Sequence, residues 1–159
     1  MSQVGAGPAG RAAISLPRET GRSGADWAQV LAEVPLFGNL RRRHVKRIAS
    51  LGRMRRYGPG TSIVRAGDAG TAFFVLIDGT ARVIPAKGRA RRLGAGDFFG
   101  EMALLDDSPR SADVVADGEV RVMTISGNAF GKLLRSEPAL SNELLRTLAA
   151  RLRAAEKTV

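Results

Sequence analysis

The chain has 159 residues and a net charge of +10, enough length for one domain with a real core plus a tail. It has no cysteine and a single histidine, which excludes a disulfide framework, thiol chemistry and a zinc site built from histidine and cysteine. No apolar run approaches the ~20 residues that span a bilayer, and the first twenty residues lack the apolar block of a signal peptide, so a cytoplasmic setting is expected.

Residues 1–25 are rich in Gly, Ala, Ser and Arg with little apolar periodicity, and read as a flexible basic arm ahead of a domain over residues 26–159. Helical spacing begins at Trp27, Val30 and Leu31 and is broken by Pro35. A second helix is expected through about Leu51, its apolar side marked by Leu36, Leu40, Val45, Ile48 and Leu51. Arg41, Arg42, Lys46 and Arg47 fall largely on the other side. They read first as a solvated face, with a phosphate-backbone site as the alternative. His44 lies inside this basic run and reads as a surface residue, neither a ligand nor a base.

From about residue 55 to 125 the texture changes to short apolar runs punctuated by glycine, the pattern of antiparallel strands. A buried strand Phe73–Ile77 is expected to end at an Asp78-Gly79 turn, and Ala81–Ile84 with Arg89–Leu93 to form a hairpin around Lys87-Gly88. Val114-Val115 and Val120–Ile125 are two more strands bridged by Ala116–Gly118. Gly67, Gly70 and Gly79 read as turn positions that need positive φ. Helices return over Asn128–Arg135 and from Pro138 to about Glu156, with the proline suited to a first turn. Strands followed by helices, without alternation, argue an α+β fold. Its expected form is an antiparallel double-sheet β-roll, jelly-roll-like, flanked by N-terminal helices and a long C-terminal helix.

The stretch Phe99–Ala112 (FGEMALLDDSPRSA) carries the chemistry. Gly100 leads into a short helical turn opened by Glu101, and the Pro109-Arg110-Ser111 step brings a guanidinium back toward it. First-turn N–H groups lack partners inside a helix and carry partial positive charge, so such a turn suits an anion. Gly100 admits close backbone approach, and Arg110 adds a planar fork matched to two phosphate oxygens. Glu101 would repel a phosphate unless it faces another part of the ligand, such as a sugar hydroxyl. Asp106 and Asp107 read as exposed turn residues able to cap a turn or pair with Arg110.

In order and spacing, Gly100–Leu104 and Pro109–Ala112 resemble the phosphate-binding cassette of cyclic nucleotide-binding domains. That family includes the sensor domains of bacterial cyclic-AMP receptor-type regulators, kinase regulatory subunits and gated channels. Gly58–Asp68, Phe73–Gly79 and Gly96–Gly100 continue the likeness, which covers roughly Val34 to Thr158. The resemblance implies a cyclic nucleotide as ligand, with Gly100, Glu101, Met102, Ala103, Arg110, Ser111 and Val83 as the contacting residues. The phosphate would sit against Arg110 and the turn at Gly100–Ala103, while Glu101 would accept from the ribose 2′-hydroxyl. Ser111 stands where threonine accompanies cyclic GMP and alanine cyclic AMP. Serine also occurs in bacterial cyclic-AMP regulators, which favours cyclic AMP and leaves cyclic GMP open.

The family's base-capping pair falls at Ala155-Glu156, a departure from the pattern that leaves Arg146 or a leucine of the last helix to cap the base. The stripe Leu140, Leu144, Leu145, Leu148, Ala149 and Leu152 packs on the roll in one reading and makes a homodimer seam in another. Movement of that helix is the expected signal, passed to a partner protein or effector chain. Because the sequence stops at Val159 where the helix would end, no element for sequence-specific DNA recognition is expected. With a single histidine and no catalytic constellation, no enzyme activity is expected, and no cofactor. Two other readings stand beside this one. The chain could be a basic interaction module with a degenerate pocket that binds an acidic partner or nucleic acid, or the sensor fragment of a larger enzyme.

Overall fold

The structure, a computed structural model, describes residues 24–157, so the expected basic arm lies almost wholly outside the described residues. Helix α1 (Gly24–Ala32) is followed by a 3-10 turn at Pro35–Phe37 and by α2 (Arg42–Leu51). The turn is a difference from the expected second helix. Pro35 cannot continue α1 but pre-sets φ for a new first turn, so Leu36 and Phe37 enter the core from that turn rather than from α2. Leu51, expected on the apolar side, is 40% exposed.

Six strands follow: β1 (Arg53–Tyr57), β2 (Ser62–Val64), β3 (Ala72–Pro85), β4 (Arg91–Leu93), β5 (Phe98–Phe99) and β6 (Ala112–Ser126). A short helix α3 (Glu101–Asp106) separates the last two, and α4 (Gly127–Ser136) and α5 (Pro138–Lys157) close the described chain. All pairings are antiparallel, in the order β1-β6-β3-β4, with β2 also on β6 and β5 on β3. Val83 pairs with Arg91 in the expected hairpin.

Two expected turns are instead bends inside long strands. β3 runs through Asp78-Gly79, and β6 through Gly118. The β3–β6 register shifts between Leu76 and Asp78 and again between Asp78 and Thr80, as at a β-bulge. Gly79 has φ 87°, and a Cβ there would come within 2.5 Å of the Glu119 carbonyl oxygen. Only glycine fits that crossing. The bulges let two long strands curve so that one hydrogen-bonded sheet closes around its own interior.

Two cores result. One lies inside the roll and includes Leu76, Ala81, Val83, Leu93, Phe99 and Val122. The other joins the outer face of the roll to the helices, where Phe73 stacks on Phe130 of α4 with centroids 4.3 Å apart. Leu31, Phe37, Ile48, Leu133 and Leu140 complete the apolar contact among α1, the 3-10 turn, α2, α4 and α5. His44 is not a plain surface residue. Its Nδ1 meets the carboxylate of Glu137, a buried residue at the α4–α5 elbow. Leu140 and Leu144 of the α5 stripe are buried, whereas Leu145 and Leu152 are more than 60% exposed.

Candidate functional site

The site forms where β5 passes into α3 and the chain returns through Arg110 into β6. Gly100 precedes α3 with φ 90°, a left-handed conformation that favours glycine at the start of the cassette helix. A Cβ on Gly100 would lie 2.7 Å from an Arg110 guanidinium nitrogen and 3.0 Å from the Ala72 carbonyl oxygen. Gly70 has no positive φ, contrary to the reading of it as a turn glycine. It is small because its Cβ would fall 2.5 Å from that of Ala103, beneath the cassette.

Arg110 is almost fully buried. Its guanidinium donates to the Gly100 carbonyl at 2.8 Å and to the Ala72 carbonyl at 2.7 Å, and lies 5.6 Å from the Phe74 ring centroid. Two of its five N–H donors are therefore spent on holding the fork in place. Burial pushes this guanidinium below its ordinary pKa, and the nearby Glu101 carboxylate pulls the other way. Asp106 and Asp107 are exposed and do not pair with Arg110. Asp106 instead accepts from the Ser108 N–H, and Asp107 adopts φ 56° at the end of α3.

A small cavity of about 60 Å³ is lined by Gly100, Glu101, Met102, Ala103, Arg110 and Ser111, with Val83 on the roll side. All seven residues singled out in the sequence thus meet around one space. They differ in exposure. Glu101, Ala103 and Val83 are buried, Met102 is 55% exposed and Ser111 is exposed. Val83 also belongs to the core inside the roll, so both readings of it hold at once.

A larger groove of about 610 Å³ adjoins the cavity and is predominantly apolar. Leu105 of α3 faces Leu148, Leu152 and Ala155 of α5 across it, and Arg91, Glu101 and Met102 line both spaces. Glu101 marks the junction. Its carboxylate, in a side chain only 4% exposed, accepts from the Arg151 guanidinium at 2.9 Å. Arg151 also stacks over Phe98, 4.6 Å from its ring centroid. This residue ties α5 to the cassette, and sequence reasoning missed it. Arg146, the arginine of α5 singled out in the sequence, is exposed and lines neither space. Arg91 of β4 was also not singled out. Burial and the neighbouring Arg151 push its guanidinium below the usual pKa, while Glu101 and Asp97 raise it.

Replacing Arg151 by Ala leaves the buried Glu101 carboxylate without its cation. A loss of about 1–3 kcal/mol is expected in chemical denaturation, since Arg151 is itself partly exposed. The double variant R151A/E101Q should regain part of that loss, because no buried carboxylate is then left without the Arg151 cation. Equal stability of the R151A variant and the parent would show that the pair contributes nothing.

A curved antiparallel roll with a glycine-led helical turn, a buried returning arginine and a C-terminal helix over the adjoining groove defines a small-ligand sensor class of fold. The family model for the cyclic nucleotide-binding domain matches residues 54–137, and the chain belongs to that family. It is 38% identical over 104 residues to a cAMP-dependent protein kinase regulatory subunit of Hypocrea atroviridis, covering 65% of this chain and 22% of that one. Among solved structures, the regulatory domain of Toxoplasma gondii PKA, crystallised with cAMP, superposes with a TM-score of 0.72 at 25% identity. That match covers 80% of this chain and 50% of that one. The Thermus thermophilus catabolite activator protein superposes with a TM-score of 0.70 at 33% identity, covering 78% of this chain and 61% of that one. The chain thus spans about a quarter of the length of the curated relatives it matches. Among the described residues, no helix is long and apolar enough to cross a membrane.

Proposed function

We propose that this chain binds a cyclic nucleotide, cyclic AMP in the first instance, and reports its presence through α5. The carrying observation is the shared wall between the two spaces. A compact cavity with Arg110 and the α3 N-terminus meets an apolar groove, and a buried carboxylate stands at the junction. A cyclic nucleotide has the same three parts in the same order. The phosphate takes Arg110, Ser111 and the N–H groups of the Gly100–Ala103 turn, the ribose 2′-hydroxyl donates to Glu101, and the base enters the groove. Val83 and Met102 supply apolar contact to the sugar and base. The cAMP-bound regulatory domain among the structural relatives supports cyclic AMP as the ligand.

Binding becomes a signal only if the ligand prefers one arrangement of α5. Phosphate contacts are made by the roll and the cassette, so they favour no position of α5. The base, between Leu105 on one side and Leu148 and Leu152 on the other, does. Arg151 adds a competition, because the carboxylate that would accept from the ribose already accepts from α5. A partner or effector chain reads the helix. Leu145, exposed and outside the groove, is the residue through which a partner protein or a second copy would make contact. The chain acts as a non-catalytic regulator in the cytoplasm.

The Glu101→Gln variant tests the central assignment. Its affinity for cyclic AMP should fall roughly 10- to 100-fold in calorimetric titration, the value of one hydrogen bond to a charged group. Affinity for 2′-deoxy cyclic AMP should change little, which separates the ribose contact from any effect of losing the Arg151 pair. An equal loss for both ligands would contradict the assignment.

A further inference from the structure

Between residues 34 and 67 the chain carries nine arginine and lysine side chains and no acid. All nine are exposed. They fall chiefly on α2, which presents Arg42, Arg43, Lys46 and Arg47, and on β1, which follows after Gly52 with Arg53, Arg55 and Arg56. Among the described residues, carboxylates reach two of the nine: Glu137 lies 3.8 Å from Arg47, and Glu119 lies 2.6 Å from Arg56. None of the nine lines the cassette cavity or the adjoining groove.

β1 is the outermost strand of the main sheet path, and arginines there discourage pairing with another sheet edge. That explains β1 and leaves α2 unexplained. The apolar side of α2, Val45, Ile48 and Ala49, is buried in the helical core, so the helix cannot lay an apolar face into a lipid surface. Protein interfaces are built around apolar anchors, and Leu51 is the one large exposed apolar side chain of this stretch among the described residues. What α2 and β1 each offer is charge in series along their own length. Arg42 and Lys46 are about 6 Å apart along a helix, and Arg53 and Arg55 about 6.6 Å apart along a strand. Eight of the nine are arginines, whose planar forks match phosphate oxygens.

We infer that the α2–β1 surface binds the phosphate backbone of a nucleic acid, without reading its sequence. This binding is separate from the cyclic nucleotide site and persists with that site empty or filled. Its signature is a linear fall of log affinity with log salt, with a slope of about −0.9 for each phosphate neutralised on a duplex.

The test is fluorescence anisotropy of the full chain with a labelled 30-base-pair duplex of random sequence, between 50 and 200 mM salt. The triple variant R42Q/K46Q/R55Q should bind more weakly and show a salt slope shallower by about three. A control removes three charges elsewhere, at Lys87 and Arg89 in the β3–β4 loop and at Lys132 of α4, all exposed. The control variant should keep most of the parent slope. Absence of duplex binding at 50 mM salt would overturn the inference. So would equal weakening in both variants, which would make the effect one of net charge. Binding to vesicles of phosphatidylcholine and phosphatidylserine with no binding to the duplex would assign the surface to a membrane and overturn it as well.

Discussion

Replacing Arg110 by Ala is expected to lower the affinity for cyclic AMP by roughly 10²-fold or more. Two hydrogen bonds from a buried cation to phosphate oxygens, at ~1.5–3 kcal/mol each, set that scale. The same change removes the donor to the Gly100 and Ala72 carbonyls, which lie 2.8 and 2.7 Å from the guanidinium. Leaving carbonyls unpartnered costs about 1–3 kcal/mol each where water cannot reach them, so a fall in stability accompanies the fall in affinity. The two effects separate in the Arg110→Lys variant. Lysine keeps the charge and loses the fork, so it should recover part of the affinity and little of the carbonyl pairing. Titration calorimetry reads the first quantity and urea denaturation the second. Unchanged affinity in the Ala variant would remove Arg110 from the ligand site and leave it a purely structural cation.

The other large effect is expected from Phe73→Ala, with a loss of about 3–5 kcal/mol in urea denaturation. Phe73 is fully buried, stacks on Phe130 at 4.3 Å and tilts against Phe98 at 5.6 Å. It is the point where the outer face of the roll grips α4, and Arg151 of α5 lies over the same Phe98 ring. The cavity left behind therefore loosens two attachments of the C-terminal helices at once. A loss below about 1 kcal/mol would mean that the helices stand on the roll without this cluster.

The cassette was legible in the sequence because its chemistry is local. Gly100, Glu101 and Arg110 lie within eleven residues, and a left-handed glycine before a helical turn with a returning arginine leaves few other arrangements. Val83 needed the family resemblance, since nothing in an alternating strand says which apolar residue faces a cavity. The Asp78-Gly79 bend was misread for a physical reason. A glycine at positive φ serves a turn and a bulge equally well, and only the distant Glu119 carbonyl pressing on Gly79 distinguishes them. Gly70 was misread in the opposite sense, its smallness being required by Ala103 rather than by its own backbone. Arg151 carried no signal at all. On a helix with arginines at 146, 151 and 153, periodicity does not tell which one reaches over Phe98 to a carboxylate fifty residues earlier.

Arg151 also changes how the acid in the cassette is understood. From sequence, Glu101 needs a sugar hydroxyl to justify its place beside a phosphate site. In the structure it already has a partner, and that partner belongs to the helix expected to move. On the proposed assignment the carboxylate is the point at which ligand and helix would meet. A ligand hydroxyl that takes Glu101 changes what holds α5, and a displaced α5 changes what Glu101 can offer a ligand. Such coupling is reciprocal.

Calorimetric titration of the full chain with cyclic AMP tests the central claim most directly, with 5′-AMP as the comparison ligand. A saturable one-to-one isotherm for cyclic AMP, and none for 5′-AMP at the same concentrations, is the predicted result, because only the cyclic phosphate is held at a fixed distance from the ribose 2′-hydroxyl, so that Arg110 and Glu101 are reached together without further ordering. No heat of binding from cyclic AMP up to millimolar concentration would contradict it.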